Sequence, residues 1–442
     1  MIQKKRVSIL RIVLLSLGFF GIQGGFSIQF ARVTPIFEKL GALANEIPWY
    51  WLAAPLTGFI VQPVVGYMSD RTWGALGRRR PYILFGTILS VLALFIMPNT
   101  TFLWTAVLNF WLLSFAIDFC MQPFRAFVAD ILPEEQVATG YSIQTILIGI
   151  GGGVGFWVAA RDWLEIFPSL SIVASSSLQL QFYITGIIFL ATIIITVIST
   201  KEYPPEDMEA FLKMKGKSKG IGAEFKSFFR ELFVSLKEMP PLMRKLSGVQ
   251  FFTWLGFFCM WMFYSVSVAK YIFGAAEIGS ELYEKGVSFA SDTMVAYQVV
   301  ATAFAFLMPY LVKKITAVGV HTFGLVAAGI GLLSIYFISD PFYLYIAMIG
   351  VGFAWATTLA MPYTILVSLI PPQKYGIYMG IFNFFIVIPQ ILAALTLGRI
   401  MKTFLGNNEM AVVLLGGVFM FVAAVVLQSL RRYNKRVAAA EL

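Results

Sequence analysis

The sequence predicts an all-α membrane protein: twelve transmembrane helices in two six-helix pseudo-repeats. Three observations predict it. Of 442 residues, 59% are apolar and only 13% charged, with mean hydropathy +0.80, too few charges to cover the surface of a water-soluble fold. Apolar runs of spanning length, ~20 residues, recur along the chain. Lys and Arg collect in alternate connections between those runs, as membrane topology requires. The net charge of +10 is therefore a topological feature and does not call for nucleic acid.

The runs lie at roughly 8–31, 48–68, 81–98, 102–128, 138–160 and 180–199, and again at 246–272, 290–312, 316–338, 342–369, 375–400 and 409–430. The first is too long for a signal-peptide core and reads as a retained span. Residues 1–199 form an N-terminal six-helix half and 246–442 a C-terminal one. Between them, 200–245 is a cytoplasmic linker; Lys201–Lys245 holds ten basic and seven acidic residues. Near Ala223–Lys237, Phe225, Phe228, Phe229, Leu232 and Phe233 recur at helical spacing, which predicts an amphipathic helix lying at the interface.

One connection sets direction. Gly66–Pro81, GYMSDRTWGALGRRRP, carries Asp70, Arg71, Arg78, Arg79 and Arg80 between spans 2 and 3. Charge of that density stays in water, and the Arg excess puts it inside. With both termini cytoplasmic, the inner side holds 24 Lys and Arg and the outer side about seven. The halves also repeat. Ile131-Leu132-Pro133 recurs as Leu369-Ile370-Pro371, and Ser8 and Leu246 open spans 1 and 7, both 238 residues apart. Tyr67 has a counterpart in Tyr310, ahead of Lys313 and Lys314. Parallel repeats flanking a central cavity suit a rocking transporter, not an enzyme.

GYMSDRTWGALGRRRP resembles the loop 2–3 signature of the major facilitator superfamily. Its long spacer and Arg-Arg-Arg-Pro ending resemble the glycoside–pentoside–hexuronide and sucrose-transporter branch. IPWYWLAAPLTGFIVQPVVGYMSDR, MQPFRAFVADILP, QFFTWLGFFCMWMF and YMGIFNFFIVIPQ are similar to that branch in spans 2, 4, 7 and 11, collinear over nearly the whole chain. The resemblance implies a multi-pass protein of a bacterial cytoplasmic membrane. It implies proton-driven symport of sucrose, maltose or a similar glucoside by alternating access, with sugar, protons and lipid as partners and no cofactor. A uniporter, a carrier of another glycoside and a non-transporting sugar sensor are the alternatives. Nothing requires more than a monomer.

Intramembrane charges mark candidate coupling residues: Asp118 and Arg125 in span 4, and Arg32 in span 1. Asp118 and Arg125 are two turns apart and share a face with Ser114 and Gln122. Burial and a nearby guanidinium pull a carboxyl's proton affinity in opposite directions, and their balance can make it a proton carrier; a structural ion pair is the alternative. Proteins of the resembling branch place an Asp where this chain has Ser114, often a Glu where it has Gln122, and a small or amide residue where it has Arg32. These departures either remove proton coupling or relocate it; in the second case Arg32 and Asp118 are expected to approach one another and reset the coupling site. Pyranose hydroxyls and faces call for amides and aromatic rings. Candidates are Gln23, Gln29, Gln62, Ser114, Gln122, Gln144, Asn383, Gln390 and Trp254, each equally able to serve as an interhelical hydrogen bond. Asp70 is expected to face the start of span 11 after Pro371-Pro372, as a gating latch with Arg71, and Arg78, Arg79 and Arg80 to hold Asp130 or phospholipid headgroups.

Other features read as structural. Cys120 and Cys259 lie in apolar runs and make no disulfide framework or metal pattern. The glycines at 149, 151, 152, 153 and 155 predict close helix packing rather than a nucleotide loop. His321 is expected to be structural, and Lys270 to snorkel to headgroups.

Overall fold

A computed structural model describes residues 6–204, 222, 230, 239, 241–367 and 375–440. The amphipathic stretch at Ala223–Lys237, the Leu369-Ile370-Pro371 repeat and Pro371-Pro372 lie essentially outside the described residues. Among those described, every regular element is a helix; the one extended pairing is a lone bridge between Gly74 and Gly77. Six spans precede the linker: Ile9–Lys39, Ile47–Asp70, Arg80–Asn99, Leu103–Ile131, Glu134–Ala160 and Ser177–Ser199. After it come Met243–Ile272, Glu281–Phe337, Pro341–Leu366, Phe384–Phe404 and Glu409–Ser429. Glu281–Phe337 is two spans run together, because Thr316 breaks the helix at φ 68°, ψ 159°. The described residues therefore carry twelve spans, numbered 1–12 below.

Local sequence explains where the helices start. Pro81 sits in the first turn of span 3, where its missing N–H costs nothing. Ser176 and Gln179 form a reciprocal capping box at the start of span 6. Span 1 runs eight residues past its expected end, and span 8 starts nine before its expected start. The added turns carry Arg32, Glu38 and Glu284, and hydropathy stops at such charges. The helices continue because each of these charges meets a partner of opposite sign, as described below.

The chain groups into two compact units: Met1–Gln29 with Leu56–Arg230, and Phe30–Pro55 with Glu231–Leu442. In the first, the glycine stripe of span 5 packs on span 1. A Cβ on Gly151 would stand 2.3 Å from the Phe20 carbonyl oxygen, and one on Gly155 2.7 Å from the Gly24 Cα, so only hydrogen allows this approach. In the second unit, residues 30–55 pack on span 7. Phe30 stacks on Trp261 with centroids 4.6 Å apart, and Trp51 meets Phe258 edge-on at 6.3 Å. The unit boundary therefore falls within spans 1 and 2 as well as in the linker.

Candidate functional site

In the first unit the site is built around Asp118. Span 4 carries Ser114, Asp118, Gln122 and Arg125 down one side, and span 2 supplies the partners. Thr57 Oγ1 donates to one carboxylate oxygen at 2.8 Å, and Gln62 Nε2 donates to the other at 2.8 Å. Gly58 and Gly66, on the same stripe of span 2 as Gln62, lie against Asp118 and Gln122. Asp118 is buried, so its carboxylate meets neutral donors in a place that water does not reach. Arg125 is exposed, and its guanidinium reaches Met121 Sδ at 3.7 Å. Gln62, expected as a sugar ligand, points its amide at the acid. Thr57 was missed: a hydroxyl inside an apolar run gives no sign of its partner.

Three other candidates in this unit have buried polar atoms without a hydrogen-bond partner among the described residues: Ser114 Oγ, Gln29 Nε2 and Gln144 Oε1. Buried polar atoms are nearly always satisfied, so each has an open valence for a polar ligand or water. Gln23 and Gln122 are half-buried.

The second unit contributes aromatic rings. Trp254 is buried, and its indole N–H has no hydrogen-bond partner among the described residues. It lies 6.2 Å from Trp261 and 6.0 Å from Trp355, and Trp261 meets Trp355 edge-on at 5.4 Å. Phe257 and Tyr297 close the cluster on Trp355. Trp355 was missed, because one indole in an apolar span looks like its neighbours. Gln390 turns inward on its own helix, donating to the Ile386 carbonyl at 3.1 Å. The Asn383 side chain lies outside the described residues.

The charged loop of the first unit is a closed network. Arg79 is buried; its Nε donates to Asp130 at 2.8 Å, its guanidinium pairs with Asp70, and a third donor reaches Ser69 Oγ at 2.6 Å. Arg78 pairs with Asp70 at 3.1 Å and approaches Asp130 at 3.7 Å. Arg80 donates to the Val197 carbonyl at 2.7 Å. Arg71 lies over the Tyr67 ring, 3.6 Å from its centroid. In the second unit Lys314 lies over Tyr310 at 4.6 Å, again four residues on. One partner was missed altogether. The Glu202 carboxylate accepts from the backbone N–H groups of Arg78, Arg79 and Arg80 at 2.7–3.0 Å, capping the first turn of span 3. Gly77, at φ +94°, makes room: a Cβ there would stand 2.8 Å from a Glu202 oxygen. Asp70 is thus engaged by Arg78 and Arg79, while its expected partner beyond Pro372 lies outside the described residues.

Charges near the C-terminal end of span 1 form two clusters within the second unit. Buried Arg32 pairs with Glu284 at 3.0 Å and donates to Ser288 Oγ at 2.8 Å; its carboxylate partner in this structure is Glu284. Lys270 does not snorkel. Its ammonium bridges Glu38 at 2.8 Å and Glu409 at 2.7 Å, because two buried carboxylates outbid the headgroup water. Tyr283 and Tyr271 donate to the remaining carboxylate oxygens, each at 2.8 Å. His321 is buried beside Thr357, with Nδ1 3.1 Å from the hydroxyl.

The chain is similar to known proteins over most of its length. The family model described as Major Facilitator Superfamily matches residues 15–394. The sucrose transport protein SUT5 of Oryza sativa subsp. indica is 26% identical over 460 residues, covering 92% of this chain and 84% of its own length. The general alpha-glucoside permease of Schizosaccharomyces pombe is 25% identical over 325 residues, covering 69% of this chain and 57% of itself. In three dimensions the chain is similar to the nucleoside transporter NupG, with a TM-score of 0.69 at 16% identity over 96% of this chain and 100% of that one.

Proposed function

The chain belongs to the major facilitator superfamily and is a membrane carrier, not an enzyme; from that premise we propose that it carries a disaccharide or glucoside, such as sucrose or maltose, together with protons. One observation carries the reading. Asp118 is a buried acid in a membrane span, held by the neutral donors Thr57 and Gln62. Intramembrane acids mark substrate and proton paths, and a carboxylate among neutral hydrogen-bonding groups can exchange them for sugar hydroxyls or for a proton. The unsatisfied atoms of Gln29, Ser114 and Gln144 offer further polar contacts in the first unit, and the indoles of Trp254 and Trp355 offer aromatic surface for pyranose rings in the second. Relatives named as sucrose transport proteins and an alpha-glucoside permease support a sugar as cargo.

In this reading Arg32 and Arg125 tune the coupling, Gln23, Gln62, Gln122, Asn383 and Gln390 line the sugar's path, and Arg71, Arg78, Arg79 and Arg80 work with Asp70 and Asp130 as the inner gate. The protein acts as a monomer in a bacterial cytoplasmic membrane. Proteoliposomes supply the test. With an inward proton gradient, labelled sucrose or maltose accumulates above its external concentration, up to ~tenfold per pH unit for one proton per sugar. Uptake that only equilibrates, with or without the gradient, makes the protein a uniporter. Binding without uptake makes it a sensor.

A further inference from the structure

We propose that Glu38 is a second proton-binding site, where one bound proton cancels the excess negative charge of the Glu38–Lys270–Glu409 cluster. The inference deepens the proton-coupled reading above and rests on it only for what the proton is used for.

The argument begins with charge. Two carboxylates share one ammonium, at 2.8 and 2.7 Å. Side-chain exposures are 1% for Glu38, 7% for Glu409 and 21% for Lys270. With both acids ionised the cluster keeps one uncompensated negative charge away from water, an arrangement that proteins avoid by pairing or by protonation. Among the described residues, the cation paired with these acids is Lys270. The titratable groups facing Glu38 are Lys270 and Tyr271 from span 7, Tyr283 from span 8 and Glu409 from span 12; Glu284 of span 8 faces Tyr283. The tyrosines are neutral donors, Glu284 is itself acidic, and Arg32 on span 1 has Glu284 as its partner.

Backbone geometry shows that the cluster is built. Consecutive residues of an α-helix do not face the same neighbour. Lys270 and Tyr271 nevertheless reach the two oxygens of the same Glu409 carboxylate. They do so because Val268–Ile272 is a π-helical turn, a wide turn frequent at functional sites. Of the two acids, Glu38 is the drier, so the proton belongs there. It adds to a carboxylate oxygen of Glu38, turning it into a neutral acid. Lys270 then pairs one-to-one with Glu409, and the cluster is neutral. Glu38 sits on the part of span 1 that packs with the second unit, so its charge state alters how firmly that segment is held.

The test reads the proton directly. Infrared pH titration of the full chain in lipid nanodiscs, on an Asp118→Asn background, follows the carbonyl band of protonated acids. Glu38→Gln removes the acid and loses the band of one carboxyl group. Glu409→Gln leaves Glu38 matched with Lys270 and loses the same band; should Glu38→Gln fail to elute as a monodisperse species, this variant carries the test. In proteoliposomes, Glu38→Gln brings gradient-driven sugar accumulation from up to ~tenfold per pH unit down to the equilibrium ratio. An undiminished band in either folded variant overturns the site, even if accumulation persists in the unaltered protein. If the unaltered protein accumulates no sugar but the band is lost in both variants, the transport reading falls and the proton site stands.

Discussion

At the scale of the residue, the informative contrast is between Asp118 and Arg125. Both are charged, both lie on span 4, and two turns separate them. Only the acid is buried, and it is satisfied by Thr57 and Gln62 of span 2. Asp118→Asn tests its role with little structural cost. The amide has nearly the same volume, and Gln62 can turn its own amide to present oxygen where it now presents nitrogen. The expected outcome is a folded protein that binds labelled sugar but no longer accumulates it, a fall from up to ~tenfold per pH unit to unity. Equilibrium binding measured beside proteoliposome uptake checks both halves of that statement. Asp118 was legible in the sequence because an acid inside an apolar run is conspicuous. Thr57, Glu38 and Glu409 were not. A hydroxyl scarcely disturbs hydropathy, and the two glutamates fall where a run appears to end or begin, so they look like interfacial charge.

At the scale of the element, the charged loop between spans 2 and 3 is organised by a residue from far along the chain. Glu202 follows span 6, yet it accepts three backbone N–H groups at the start of span 3. A carboxylate in that position satisfies orphan donors and faces the positive end of the helix dipole. Glu202→Ala is therefore expected to destabilise the loop by about 1–2 kcal/mol, seen as a lower thermal unfolding midpoint and faster proteolysis between Arg71 and Arg80. Glu202→Gln, which keeps one acceptor, falls between. The pairing of these arginines with Asp130 could be read from sequence, because opposite charges in neighbouring loops have few other partners; the pairing of Asp70 with Arg78 and Arg79 could not, since its sequence pointed to the start of span 11. Glu202 could not, since nothing in its local sequence distinguishes it from the linker acids that follow. The glycine stripe of span 5 was legible for the opposite reason: several glycines in one apolar span have few uses besides close approach.

At the scale of the whole molecule, the twelve spans follow from hydropathy, and the placement of Lys and Arg predicts their direction. Sidedness has a direct check. An alkaline phosphatase fusion after Thr101, between spans 3 and 4, is expected to be active, and one at the C-terminus inactive. The reverse pattern would invert every inner and outer assignment. The split of spans 1 and 2 between two packing units was not legible. Hydropathy reports that a residue avoids water, not which neighbour it prefers. Phe30 and Trp51 look like any other apolar residues until their stacking partners are known.

The cation–aromatic pairs Tyr67–Arg71 and Tyr310–Lys314 bear on ancestry. A six-helix ancestor, duplicated and fused, would have passed the same device to both copies, and the four-residue spacing has survived in each. The cation differs between them, Arg71 in the first half and Lys314 in the second. A guanidinium keeps its plane and its fork of donors, whereas an ammonium keeps only its charge. The first copy has also gathered acids around its arginines, and each such partner narrows what a mutation can do without harm. The younger differences between related carriers should therefore accumulate first around Tyr310–Lys314, leaving the first loop as the slower clock.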